Sequence, residues 1–403
     1  MKTKNCDQLI KPPKQIYQFI LLVTLGIYGL IFFNKVLTPG WMPVGDGGNT
    51  VAWVSYQFSS FARGEFPLWN PTVMAGDTSF IGQAISLGPI ANMVIFTSVL
   101  LGSNDIVLAY AIWIYVLIVL YVVGVYHLIF LWTKNRGSAC FGAVVALFSS
   151  SLFLTHFQNA YLIIIYSVPL IIYSIVRYFE KFKFKYLICL LLVVIPFLYS
   201  YEFVMPLSYL LILAVTGVIF YCKRVDIKAL IKIPTFHILF SMLTLSLAVL
   251  PQALIYFDMM SGFSLPNQTR VEGQKFKITK DYKVDYKVDA KKATENFLTC
   301  ENCWVGAFTG TYFKPNDRSE ASMWPTLRYY IGPITLPFII VALFSLSRKV
   351  WCVFSAGALT ALLAGYVFPF NLITKIPIFD LMHGLNNLNH YFLLTLIILS
   401  AFG

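Results

Sequence analysis

The sequence carries few charged side chains. Asp, Glu, Lys and Arg make up 12% of its 403 residues, while hydrophobic residues make up 58%. Roughly a quarter of the residues of a soluble domain are charged, so a chain with about half that share cannot cover a water-facing surface. This shortage excludes an ordinary soluble domain, and the mean hydropathy of +0.73 agrees. We predict an integral membrane protein.

Acidic residues are scarcer than basic ones. The chain has 18 Asp and Glu against 30 Lys and Arg, which gives a net charge of +12. In a membrane protein such an excess usually lies in cytoplasmic loops, because Lys and Arg are retained on that side. We therefore expect no nucleic-acid partner.

Features of ion-coupled carriers, secreted proteins and zinc sites are also missing. The apolar runs hold almost no ionisable residues, whereas such carriers usually place them near the middle of the membrane. No small-x-small cleavage site precedes Asn34, which favours a retained first helix over a signal peptide. Cys300 and Cys303 form one close pair without a matching second pair, which favours a local disulfide over a zinc site.

Long apolar runs are what the sequence does contain, and about 20 apolar residues as helix cross a bilayer core. We expect transmembrane helices at 16–33, 106–132, 139–155, 161–176, 186–200, 204–221, 235–257, 329–347, 350–368 and 390–403. The predicted fold is an all-α integral membrane protein with about 10 transmembrane helices and two large extracytoplasmic loops. We predict that residues 83–101, with Gly88 and Pro89, form an interfacial or re-entrant helix. If this segment crosses instead, every later orientation inverts.

The distribution of Lys and Arg sets the predicted topology, with residues 1–15 cytoplasmic and the loops 34–105 and 258–328 outside. Helices 2–7 then occupy 106–257, and helices 8–10 occupy 329–403. The cytoplasmic segments hold 16 of the 30 basic residues, namely Lys2, Lys4, Lys11, Lys14, Lys134, Arg136, Arg177, Lys181, Lys183, Lys185, Lys223, Arg224, Lys228, Lys232, Arg348 and Lys349. Eleven others lie in the loop 258–328, which the positive-inside rule discounts because long loops translocate regardless of charge.

The first outer loop contains three short motifs. Gly45-Asp46 is followed by Phe66-Pro-Leu-Trp69-Asn70-Pro71 and then by Ala75-Gly76-Asp77. Between them, we expect residues 51–62 to form a short helix on the membrane surface. The motifs resemble the first outer loop of the YfhO family, bacterial polytopic proteins grouped with the GT-C type glycosyltransferases. The segments Tyr330-Ile-Gly-Pro and Lys375-Ile-Pro-Ile-Phe-Asp through Asn389-His390-Tyr resemble later parts of that family.

The resemblance implies a membrane enzyme that moves a sugar from a polyprenyl-phosphate donor to a cell-envelope acceptor, such as a glycan or a teichoic-acid-like polymer. Asp46 is then the general base or the ligand of a divalent cation, Mg²⁺ or Mn²⁺, on the donor phosphate. Asp77 is a second catalytic candidate. Trp69 and Asn70 are candidates for substrate contact.

Other candidates come from position and residue type. Glu202 lies in a short turn between two spans, which would place its carboxylate near the outer interface, on the same side of the membrane as Asp46. Arg270, Arg318 and Arg328 are candidates for lipid-linked phosphate, because a guanidinium binds phosphate in a bidentate manner. In the late loop, where relatives typically carry Arg, this chain offers His383 and His390.

The loop 258–328 and the histidines have alternative interpretations. Residues 276–288 alternate large and charged side chains, which predicts a strand or hairpin. We interpret this segment as a small cap over the active site rather than as a surface that binds a polyanionic acceptor. His127, His156 and His237 lie at or near helix ends, where we expect packing rather than catalysis.

The expected location is the bacterial inner (cytoplasmic) membrane, with a multi-pass chain and a cytoplasmic N-terminus. Relatives usually continue through more helices, so we expect 329–403 to be truncated. Two other functions stay open: a lipid-linked sugar flippase or transporter, and a non-catalytic assembly protein for envelope polymers.

Overall fold

The fold is known from a computed structural model. The structure describes residues 14–38, 46–63, 94–100, 105–149, 161–198, 233–262, 331–345, 347–364 and 389–403. Every regular element within these ranges is an α-helix. The all-α prediction is confirmed for this part of the chain.

The helices follow one another with short connections where those connections are described. They are α1 (Lys14–Val36), α2 (Asp46–Ala62), α3 (Ile106–Thr133), α4 (Arg136–Phe148), α5 (Tyr161–Lys181), α6 (Phe184–Leu198), α7 (Thr235–Gly262), α8 (Thr335–Phe344), α9 (Arg348–Ala364) and α10 (Asn389–Ser400). Residues 94–100 form a further helical segment.

α3 is the central helix, and its ends are defined by capping residues. Asp105 Oδ1 accepts a hydrogen bond from the backbone N–H of Leu108 at 2.9 Å, which satisfies one of the free donors at a helix start. At the other end Lys134 adopts a left-handed conformation with φ of 58°. Asn135 Oδ1 then accepts from the backbone N–H of Gly137 at 2.8 Å. These contacts make a tight α3–α4 hairpin.

α1 lies antiparallel to α3 and starts beside α4. The hydroxyl of Tyr115 donates to the carbonyl of Leu25 at 2.9 Å. The thiol of Cys140 lies 3.6 Å from the carbonyl oxygen of Tyr17. The first turns of α1 therefore meet the α3–α4 hairpin, and the last turns of α1 approach the N-terminal half of α3.

α5 lies parallel to α3 at close range. The ring of His127 stacks on Tyr173 at 5.0 Å. One turn earlier, a Cβ at Gly124 would lie 2.9 Å from Leu170 Cγ and 3.1 Å from the Leu170 backbone nitrogen. The missing side chain of Gly124 therefore permits the close approach.

The last helices return to the α3–α4 hairpin. The rings of Trp132 and Phe402 are 6.1 Å apart, and Lys349 Nζ lies 3.4 Å from the carbonyl oxygen of Trp132. One large hydrophobic core joins α1–α5 and α8–α10. A second cluster of buried Tyr178, Leu187 and Leu191 joins the end of α5 to α6, with α7 packed against it.

Several predicted spans overlap helices but differ at their ends. The helix at the predicted span 139–155 begins earlier, at Arg136, and α4 ends at Phe148, where Ser149 has extended backbone with ψ of 137°. Residues 150–155 lie outside the described residues. The hydroxyl of Ser149 donates to the carbonyl of Ala146 at 2.8 Å, as serines near helix ends often do. α7 instead continues five residues beyond 257, to Gly262.

The span 329–347 needs the largest correction, since α8 covers only Thr335–Phe344. Gly332 has φ of 88°, and Pro333 follows it, so the chain turns before the helix starts. Ten residues extend about 15 Å as helix, half of a bilayer core. The predicted span 204–221 lies outside the described residues.

Among the described residues, two helices are long and apolar enough to cross a membrane by length and composition, Gln15–Asn34 and Ile106–Thr133. Four shorter apolar helices accompany them, Arg136–Phe148, Phe184–Ile195, Thr235–Ala248 and Thr335–Phe344. This result does not establish how many helices cross the membrane, so the number of about 10 transmembrane helices stays a prediction.

Candidate functional site

Two of the predicted site residues lie on described backbone. Asp46 is the first residue of α2, and His390 is the second residue of α10. The other site candidates lie outside the described residues: Asp77, Glu202, Trp69, Asn70, Arg270, Arg318, Arg328 and His383. The predicted hairpin at 276–288 and the pair Cys300 and Cys303 lie outside them as well.

α2, which carries Asp46, is fixed to the helical body by one buried face. Val51, Val54, Gln57 and Ser60 are buried, with exposed fractions of 5% or less, and recur every three residues along one side. The helix contacts α3. Since a buried face holds the helix, the position of its first residue relative to α3 is set by packing.

The helix predicted at 51–62 thus exists but begins five residues earlier, at Asp46. An acidic residue at a helix start is favourable because the first N–H groups carry a partial positive charge. This preference explains the position of Asp46 on structural grounds, in addition to its predicted catalytic role. The sequence analysis did not predict that Gln57 and Ser60 are buried, although they continue the three-residue spacing of Val51 and Val54.

Basic residues collect at one end of the helical body. We call this the basic end; it comprises the described residues Lys134, Arg136, Arg177, Lys181, Lys183, Lys185, Arg348 and Lys349. Parallel α3 and α5 bring their C-termini to this end, and the Lys349–Trp132 contact joins the start of α9 to it. All eight residues belong to segments that the sequence predicts to be cytoplasmic.

Three of the cations at the basic end lie over aromatic rings, and Lys185 Nζ is 5.2 Å from the centre of the Tyr186 ring. The Arg136 guanidinium carbon is 5.5 Å from the centre of the Phe130 ring, and that of Arg177 is 5.6 Å from the centre of Tyr173. Arg177 also donates to Glu180 Oε2 at 3.0 Å. Such contacts hold the guanidinium groups in fixed positions.

The start of α10 lies away from the basic end. Ala401 and Phe402, just after α10, contact Gly142 and Trp132 near the α3–α4 hairpin. The N-terminus of α10 therefore points toward the other end, where Asp105 also caps α3. His390, the second residue of α10, therefore lies further from the basic residues than the C-terminus of α10 does, and its predicted outer position stays a prediction.

The chain matches no protein-family model, no curated protein and no solved structure. The resemblance to the YfhO family rests on the sequence motifs and stays a prediction.

His127 and His237 are packed rather than placed for catalysis. His127 lies between Tyr126 and Tyr173. His237 is buried, and its Nδ1 forms a 2.9 Å hydrogen bond with the hydroxyl of Tyr178. His156 lies outside the described residues.

Among the described residues, no group of three or more His, Cys, Asp or Glu side chains is placed to hold a metal ion. Cys140 and Cys189 lie within helices and form no disulfide. The expected divalent cation at Asp46 stays a prediction.

Proposed function

We propose that this chain is a multi-pass membrane glycosyltransferase with its basic end in the cytoplasm. Exposed apolar side chains support the membrane placement. Phe19, Leu22 and Leu30 on α1 are 67%, 67% and 75% exposed. On α7, Phe236, Leu239, Met242, Leu243 and Leu247 are exposed as well. Soluble proteins rarely leave such continuous apolar surfaces in water, so these faces favour lipid as their neighbour.

The orientation is supported by the separation of charge. Lys and Arg gather at the basic end, and the positive-inside rule assigns that end to the cytoplasm. α1 starts at the basic end, so the N-terminus is cytoplasmic in this proposal. The opposite end, where Asp105 caps α3, then faces outward.

The transferase activity is supported by the motif that surrounds Asp46. Gly45-Asp46, Trp69-Asn70 and Gly76-Asp77 occur in the order in which the YfhO family presents them. The packing of α2 on α3 adds that Asp46 starts a helix anchored to the core. A group that takes a proton in the reaction must be held in place, and a packed helix provides this more reliably than a free loop.

The proposed reaction transfers the sugar from the donor phosphate to the acceptor oxygen. An acceptor hydroxyl oxygen attacks the anomeric carbon of the donor sugar, and the bond from that carbon to the phosphate oxygen breaks. The electron pair of this bond leaves with the polyprenyl phosphate. Asp46 accepts the hydroxyl proton. In the alternative role Asp46 would hold a divalent cation that would neutralise the phosphate, and the proton would pass to water.

Replacement of Asp46 by Asn tests the assignment. Loss of the negative charge at the helix start costs only about 0.3–1 kcal/mol, so the variant should insert into membranes near the native level. Loss of general-base catalysis typically lowers a rate by about 10²- to 10⁴-fold. The assay is transfer of labelled sugar from a polyprenyl-phosphate donor, with Asp77→Asn and Glu202→Gln as charge-matched controls that should lose less.

Full activity of Asp46→Asn at normal membrane level would refute the catalytic role. That result would favour a flippase or an assembly protein, because neither depends on the charge of Asp46.

A further inference from the structure

The turn between α5 and α6 separates cationic from aromatic side chains. Residues 181–186 read Lys-Phe-Lys-Phe-Lys-Tyr. Lys181, Lys183 and Lys185 are exposed, whereas the three aromatic residues that alternate with them are partly buried against the second cluster. The turn therefore presents three ammonium groups on one side and rests on aromatic rings on the other.

The backbone of the turn fixes this arrangement. Phe182 has φ of 47°, and its N–H donates to the carbonyl of Tyr178 at 2.6 Å. Its ring lies 5.7 Å from that of Tyr178, and the ring of Phe184 stacks on His237 at 5.4 Å. The lysines that alternate with these rings are exposed, and Lys185 Nζ lies 5.2 Å from the centre of the partly buried Tyr186 ring.

The charge of the turn is strongly positive and continues beyond it. Between 177 and 185 there are four cations, Arg177 and the three lysines, against the single acid Glu180. Glu180 pairs with Arg177, and Lys134 and Arg136 lie at the same end. A surface of this kind attracts phosphate groups.

Apolar surface begins directly beside the lysines. On α6, Ile188 and Leu192 are 38% and 67% exposed, and on the neighbouring α7 Phe236 and Leu239 are 63% and 61% exposed. A phosphate ester in solution would contact the lysines alone, whereas a phospholipid would contact the lysines with its head group and these helices with its acyl chains. The continuity of the two surfaces favours the lipid.

We propose that Lys181, Lys183 and Lys185 bind the phosphate groups of anionic phospholipids at the cytoplasmic face. This site rests on the proposed membrane placement and does not depend on the glycosyltransferase activity. Each lysine near a lipid surface contributes about fivefold in affinity for anionic lipid. Removal of all three charges should therefore reduce the preference for anionic lipid on the order of a hundredfold.

The test uses the full chain in mixed phosphatidylcholine and phosphatidylglycerol vesicles. After extraction in mild detergent, mass spectrometry measures the ratio of the two lipids that remain bound. The variant is Lys181→Gln, Lys183→Gln, Lys185→Gln. A matched control, Lys280→Gln, Lys283→Gln, Lys287→Gln, removes the same charge from the loop predicted to lie outside.

The proposal expects phosphatidylglycerol enrichment in the native chain and in the control, its loss in the turn variant, and its return when the three lysines become arginines. Equal enrichment in all proteins would overturn it. Competition by soluble glycerol phosphate that abolishes enrichment would also overturn it, because the ligand would then be a free phosphate ester. Alkaline carbonate washing separates the two proposals: release of the native chain refutes the membrane placement, whereas retention without lipid preference refutes only this site.

Discussion

Gly124 provides a direct test of how closely α3 and α5 pack. A methyl group at this position would lie 2.9 Å from Leu170 Cγ, 3.1 Å from the Leu170 backbone nitrogen and 3.2 Å from Pro169 Cβ. The leucine side chain can rotate away, but the backbone of α5 cannot. Gly124→Ala should therefore push the two helices apart or strain them.

The magnitude follows from two opposing effects. Overpacking of a well-packed interior costs about 1–3 kcal/mol, while Ala in place of Gly favours a helix by about 1 kcal/mol. The expected net loss in the free energy of unfolding is thus up to about 2 kcal/mol. Gly26 is the matched control, because a Cβ there meets nothing within 4 Å. Gly26→Ala should leave stability unchanged or raise it by up to about 1 kcal/mol.

Thermal unfolding of the purified chain in detergent measures the difference. Cys140 is buried, so a dye that fluoresces on reaction with thiols reports its exposure as the helices separate. Gly124→Ala should unfold at a lower temperature than the native chain, and Gly26→Ala should not. An unfolding temperature for Gly124→Ala at or above that of Gly26→Ala would show that α3 and α5 are not in the close contact described.

Two further predictions concern the orientation and the second cluster. Cys300 and Cys303 should react with a membrane-impermeant thiol reagent in intact cells after mild reduction, whereas Cys222 should react only after permeabilisation; the reverse pattern would refute the topology. Tyr178→Phe removes the hydroxyl that bonds to buried His237 and should lower the free energy of unfolding by about 1–3 kcal/mol in the thermal assay. An unchanged unfolding temperature would mean that this hydrogen bond contributes nothing to stability.

The positions of the helices were largely predictable from the apolar runs, while several of their ends were not. α1 and α3 correspond closely to the predicted spans because a long apolar run leaves the backbone no alternative to helix in lipid. The early end of α4 depends on Ser149, and the late start of α8 depends on Gly332. Both are local hydrogen-bonding and backbone effects, which the average hydropathy of a segment does not reveal.

The arrangement of charge was only partly predictable. The alternation of basic and apolar segments gives the order of the loops that we predict to be cytoplasmic. That Arg136, Arg177 and Lys349 meet at one end requires the contacts between α3, α5 and α9, which are far apart in sequence. Likewise, Asp46 was recognised from its motif, but its place at the start of a packed helix comes from the buried face of α2.

Donor turnover tests the proposed activity most directly. Purified protein is incubated with a panel of polyprenyl-phosphate sugars, with and without Mg²⁺ or Mn²⁺, and the release of polyprenyl phosphate is measured. We expect the native chain to turn over at least one donor, and Asp46→Asn to be about 10²- to 10⁴-fold slower with the same donor. Failure of the folded native chain with every donor, or equal rates for the native chain and Asp46→Asn, would contradict the proposal.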